Sequence, residues 1–215
     1  MAEIYGFLAK GGIMMIPIAL GSVIALAIFL ERVWALRRPA IVPDGYLERV
    51  LDLVRKGQIG EALATCRGSS NVPVARIAAR MLEDTDIDPE DAKSVAEEAG
   101  KKESSALYRF VEAVGTIAAL EPLMGLLGTV LGMIKVFQQV VYSSGQGAVD
   151  PGRLANGIWM ALITTAAGLV IAIPTFMAYR YLVSRAERLT MELEEGAVTL
   201  HLAIRRLSGR AGESG

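Results

Sequence analysis

Between Leu154 and Tyr179 the chain runs for twenty-six residues without a charged side chain. A helix of ~20 residues, rising ~1.5 Å at each, crosses the hydrocarbon core of a bilayer, so this run is long enough to span a membrane. Two other segments share the property. Ile13 to Leu30 gives eighteen residues with Pro17 near the start, and Ala113 to Ile134 is interrupted only by Glu121. Charged blocks separate the three runs. The chain of 215 residues can therefore be 53% hydrophobic and 21% charged at once, with a mean hydropathy of +0.41. A cleaved signal peptide is the rival reading of the first run. That run exceeds the usual apolar core of such a peptide, and Glu31, Arg32, Arg37 and Arg38 follow it as a stop-transfer flank, with Trp34 suited to the membrane interface.

Composition removes several other classes. A net charge of −1 leaves no broad basic surface for nucleic acid. The single cysteine, Cys66, cannot form an intrachain disulfide and fits a small core hydrophobe. The single histidine, His201, has too few companions for a metal site. With no zinc pattern, phosphate loop or nucleophile elbow, the sequence predicts neither a metal site nor an enzyme.

Lys and Arg in the flanks set the expected orientation. Arg32, Arg37 and Arg38 follow the first span, Lys101, Lys102 and Arg109 precede the second, and Arg180, Arg185 and Arg188 follow the third. The segment from Tyr142 to Gly152 has neither residue, and only Lys10 precedes the first span. The expected layout is an all-α membrane protein with its N-terminus outside and its C-terminus inside. Residues 1–34 hold the N-terminal segment and first span, 35–108 a cytoplasmic helical region, and 109–142 the second span. Residues 143–153 form an outside loop, 154–183 the third span, and 184–215 a cytoplasmic helix and tail.

Within 35–108 the helix signals are local. Asp44 is placed to cap a helix that runs to Lys56 and ends at Gly57, and a second helix fits Gln58 to Arg67, stopped by Gly68. A third fits Asn71 to Glu83, with Val74, Ile77, Ala78, Met81 and Leu82 on helical spacing. Asp88-Pro89-Glu90-Asp91 is a strong start for a fourth, predicted to continue unbroken into the second span. The third span is likewise expected to continue inside to about Leu207. These extensions would stand below the membrane as a helical bundle.

The second and third spans are rich in small residues. Gly125, Gly128 and Gly132 lie within eight residues, and the third span carries Gly157, Ala161 and Thr165, with Thr164, Gly168 and Ala172 beside them. Positions without large side chains let helix backbones approach, which is how helices associate where lipid is as apolar as leucine. Counted from the outer loop, Thr129 and Thr165 lie ~20 and ~16 Å deep, nearly level at mid-bilayer. Two readings of these hydroxyls are open. They line a polar point in a dry bundle, or each bonds to a carbonyl of its own helix. Glu121, the carboxylate within an apolar run, is a functional candidate by default, or else an interfacial group ~12 Å toward the cytoplasm from Thr129. It precedes Pro122, which bends the helix and leaves the carbonyl near residue 118 unpaired; Pro174 does the same in the third span.

The segments Ala119-Leu-Glu-Pro-Leu-Met-Gly-Leu-Leu-Gly-Thr-Val-Leu-Gly-Met133 and Gly157-Ile-Trp-Met-Ala-Leu-Ile-Thr-Thr-Ala-Ala-Gly-Leu-Val-Ile-Ala-Ile-Pro174 resemble the two signature spans of the ExbB/TolQ/MotA proton-channel family. Three spans rather than four favour its ExbB/TolQ branch, and the resemblance extends over the whole chain. It implies a ring, usually a pentamer, around single-span helices of an ExbD/TolR/MotB-like partner, expected as a dimer in the central pore of an inner-membrane complex. No cofactor is implied, with protons as the coupling ion. The partner's membrane Asp would carry the proton, and Thr129 and Thr165, at the family's threonine positions, would line its path. Two positions depart from the pattern. Met160 stands where that branch usually has a Glu, and Glu121 where a small residue commonly precedes the proline. The resemblance therefore puts the essential protonatable group on the partner and leaves Glu121 the release of protons to the cytoplasm. The competing reading is a structural membrane scaffold whose small-residue faces only hold an oligomer together.

Overall fold

The computed structural model describes residues 12–83, 89–143 and 151–213. Among these the chain is helical, with turns between helices. The helices are α1 (Met15–Ala35), α2 (Arg38–Ile41), α3 (Tyr46–Arg55), α4 (Ile59–Gly68), α5 (Pro73–Glu83), α6 (Pro89–Tyr108), α7 (Val111–Ser143) and α8 (Pro151–Glu213). Three of them, α1, α7 and α8, are long and apolar enough to cross a membrane. The described residues fall into two compact units. One takes α1 to Glu31, α7, and α8 to Tyr181; the other takes residues 32–109 and α8 from Leu182 onward.

In the second unit each short helix ends for a local reason. After α3 the chain closes a Schellman motif: the Gly57 N–H donates to the Val54 carbonyl (2.9 Å) and the Gln58 N–H to the Leu53 carbonyl (3.0 Å). Gly57 supplies the left-handed backbone this requires, with φ of 75°. α5 begins at Pro73, where a missing N–H costs no helical bond. Its residues Val74, Ile77, Ala78, Met81 and Leu82 are buried as their spacing predicts. The lower part of α8 buries Leu182, Ala186, Leu189, Leu193, Gly196 and Leu200, a strict alternation of four- and three-residue steps. Arg185 donates from Nε to the Leu36 carbonyl (3.1 Å), satisfying a group just past the end of α1.

Two expectations are corrected here. Asp44 does not cap α3. Gly45 precedes that helix in the left-handed region (φ 70°), no side-chain cap bond forms, and the Asp44 carboxylate pairs with Arg38 instead. The fourth predicted helix does not run unbroken into the second span, because Arg109 and Phe110 form a turn between α6 and α7. Neither residue is a helix breaker, so propensity gives no sign of this turn. The predicted Asp88 cap lies outside the described residues, as do residues 144–150 of the expected outside loop and Lys10.

Cys66 is fully buried in α4, and burial pushes its thiol above the ordinary value. The Tyr46 phenol, which donates to the Thr65 carbonyl at 3.3 Å, is pushed up to about 12, chiefly by burial. In both groups the fold favours the protonated, neutral form. Their contribution to stability is therefore whole below the unfolded thiol and phenol values and is lost as pH rises through the higher folded ones. We predict that a thiol-alkylating reagent at pH 8 modifies Cys66 more than about tenfold slower in the folded chain than in denaturant. Equal rates, read by intact mass, would contradict the buried placement.

Candidate functional site

In the first unit α7 and α8 touch backbone to backbone. A methyl group added at Gly168 would lie 2.7 Å from the Glu121 carbonyl oxygen and 3.2 Å from the Gly125 Cα. One at Gly125 would lie 3.0 Å from the Thr165 Cα, and one at Gly132 2.9 Å from the Ala161 Cβ. Gly128 faces the Thr164 side chain, and Gly157 faces Val136. The small residues thus form one continuous antiparallel seam, in which missing side chains become close approach. The helices α7 and α8 continue through Pro122 and Pro174, which leave the Ala118 and Val170 carbonyls without their usual i+4 donors.

The hydroxyls along this seam are all engaged. Thr165 Oγ1 donates across it to the Gly125 carbonyl (3.0 Å). Thr129 Oγ1 donates within α7 to the Leu126 carbonyl (2.6 Å). Thr164, 1% exposed, donates to the Met160 carbonyl at 2.8 Å; the sequence reading treats it only as a small residue. The Thr165–Gly125 bond sets those residues level and the Gly132–Ala161 contact sets those two level, so Thr129 and Thr165 stand within about one turn, ~5 Å, of each other along the seam. Their order is the reverse of the count from the loop. α8 begins at Pro151, three residues before the apolar run, and this places Thr165 deeper than a count from Leu154 allows.

α1 covers one side of this pair. Gly21 lies against the Glu121 carboxyl, and Met14 lies beside Gly128. With ~100° between successive residues, Thr129 is ~80° around α7 from Glu121, past the seam and away from α1. Thr165 is ~100° around α8 from Thr164, in the same sense relative to the seam. Both half-exposed threonines therefore share the flank opposite α1, among the apolar residues Pro122, Met133, Ile158 and Leu169. The structure brings Thr129 and Thr165 together and sets Glu121 apart from them. Glu121 is 1% exposed, and neither carboxyl oxygen has a hydrogen-bond partner. Met160 has its sulfur beside Gly12. Among the described residues no group of three His, Cys, Asp or Glu could hold a metal ion.

A membrane protein of three helical spans, the last two joined along a glycine seam, is the class these features define. Residues 69–195 match the sequence profile of the MotA/TolQ/ExbB proton channel family. The chain belongs to that family. It is 34% identical over 175 residues to putative biopolymer transport protein ExbB-like 1 of Synechocystis, covering 81% of this chain and 68% of that protein. Putative biopolymer transport protein ExbB-like 3 of the same organism is 31% identical, with 91% and 92% covered. Biopolymer transport protein exbB1 of Vibrio cholerae is 29% identical, with 85% and 80% covered. The chain is accordingly a protein of the ExbB/TolQ type in the inner membrane, in a family of channel and transport proteins rather than enzymes.

Proposed function

We propose that this protein is the ring-forming subunit of a proton-driven motor, turning proton motive force into mechanical work across the cell envelope. The observation that carries the reading is the shared flank of Thr129 and Thr165, opposite α1 and otherwise apolar. Copies of the chain, five in the usual family ring, would turn this flank to a central pore. There it would face the single-span helices of an ExbD/TolR-like partner, present as a dimer. A carboxylic acid on the partner would take up and release the proton beside the two hydroxyls, because moving a bare carboxylate through hydrocarbon is costly and threonine itself holds no charge. The N-terminus would lie in the periplasm and residues 35–108 in the cytoplasm, as the distribution of Lys and Arg directs. Glu121, buried ~80° around α7 toward α1, takes no part in lining this flank.

The test is reconstitution of the full chain, alone and co-expressed with an ExbD/TolR-like single-span protein, in proteoliposomes under an imposed proton gradient. Protonophore-sensitive uptake is expected only with the partner, and native mass should show a closed ring holding partner chains. A ring that encloses the partner yet passes no protons would leave the scaffold reading in possession. A monomer or dimer would end both.

A further inference from the structure

Glu121 is a carboxyl group inside a helix bundle with no counter-charge among the described residues. Its side chain rests against Gly21 of α1, with the Ile117 side chain adjacent, and its own backbone carbonyl faces Gly168 of α8. Only a residue without a side chain leaves room there: a methyl group at Gly21 would collide with Oε1. Among the described residues no charged or titratable side chain faces the carboxyl from any of the three helices. The nearest along them are Glu31 on α1, Glu112 and Lys135 on α7, and Tyr179 and Arg180 on α8, each nine or more residues from the contact.

A cleft opens between α1 and α8 on the same stretch of the bundle. Its volume is about 300 Å³, and its lining includes Ser22, Phe29, Val114, Val170 and Thr175. Ser22 directly follows Gly21, and Val114 is two turns before Glu121 on α7. The near end of the cleft, at Ser22 and Val170, is therefore within about one turn of the Gly21–Glu121–Gly168 level along the helices, the carboxyl itself standing behind its lining. The cleft leads toward Phe29, the cytoplasmic direction in the layout proposed above. Three polar groups are available along it. These are the Ser22 hydroxyl, the Thr175 hydroxyl, which donates to the Ile171 carbonyl at 2.8 Å, and the Val170 carbonyl, whose helical donor Pro174 removes. A cleft of this size with several hydrogen-bonding groups can hold water.

We infer that Glu121 is a proton-binding site within each subunit, separate from the threonine flank, and that the cleft lined by Ser22, Val170 and Thr175 is its route to water. The site deepens the proton-channel reading by giving the ring subunit a protonatable group of its own, yet it requires neither a ring nor a partner. A proton arriving along the cleft converts the carboxylate to the neutral acid, and its departure by the same route restores the carboxylate.

The experiment is infrared difference spectroscopy on the purified full chain in lipid, without any partner. The carbonyl band of a protonated carboxylic acid is expected in the native protein, lost in Glu121→Gln, and shifted on transfer to D₂O. Filling the cleft with Ser22→Phe, or removing its hydroxyl with Thr175→Val, should slow that shift on the order of tenfold, because exchange then waits on local opening of the helices. If Glu121→Gln fails to fold, the native protein alone still decides, since its band must vanish reversibly as pH rises. No protonated-acid band, or a band unchanged by Glu121→Gln, overturns the site. Exchange as fast in Ser22→Phe and Thr175→Val as in the native protein overturns the route. None of these readouts depends on proton transport, so the motor reading can fail while this site stands, and the reverse.

Discussion

Gly168→Ala should destabilise the membrane unit by about 2 kcal/mol, the cost typical of forcing extra carbon into a packed interior. The added methyl group would meet the Glu121 carbonyl oxygen at 2.7 Å and the Gly125 Cα at 3.2 Å, and both are backbone atoms that cannot rotate aside. Relief requires α7 and α8 to separate, which would also stretch the Thr165–Gly125 hydrogen bond and disturb the threonine flank. Unfolding by SDS, followed by circular dichroism, is the measurement. Gly100→Ala is the control: nothing lies within 4 Å of the added methyl group in α6, so helix propensity should stabilise that helix by up to ~1 kcal/mol. If the two substitutions behave alike, the close seam is wrong.

Thr129→Val together with Thr165→Val should reduce partner-dependent proton uptake by roughly thirtyfold, if each hydroxyl stabilises the passing proton by the ~1 kcal/mol typical of a hydrogen bond. Valine keeps the shape and removes the oxygen, so the ring and its partner should still co-purify. Thr164→Val is the informative contrast. Its hydroxyl is buried in the seam and bonded to the Met160 carbonyl, so its loss should leave uptake within a few-fold of native. Unchanged uptake in the double variant would remove the threonines from the pathway.

The sequence carries the three spans because uninterrupted apolar length is itself the signal for crossing lipid. It also carries the seam, since Gly125, Gly128, Gly132, Ala161 and Gly168 recur at helical spacing. It does not show which flank of α7 and α8 takes α1. In a soluble helix the buried face is the apolar one, but here the faces toward lipid and toward other helices are both apolar, so periodicity loses its meaning. For the same reason Gly21 passes unnoticed, a lone glycine in an apolar run until Glu121 is found against it. A linear count from Thr129 gives the spacing of Glu121 along α7 but carries no sign of the helix that covers it. The Asp44 cap failed because a nearer cation, Arg38, competes for the same carboxylate.

The two engaged hydroxyls have a chemical consequence for anything that visits their flank. A hydroxyl owns one hydrogen, and Thr165 and Thr129 have already given theirs to the Gly125 and Leu126 carbonyls. Each has only lone pairs left to offer outward. A carboxylic acid, which brings its own hydrogen, would find two acceptors there; its conjugate base would find no donor until a threonine let go of its carbonyl. As built, this surface discriminates between the two forms of a guest acid before any part of the complex has moved.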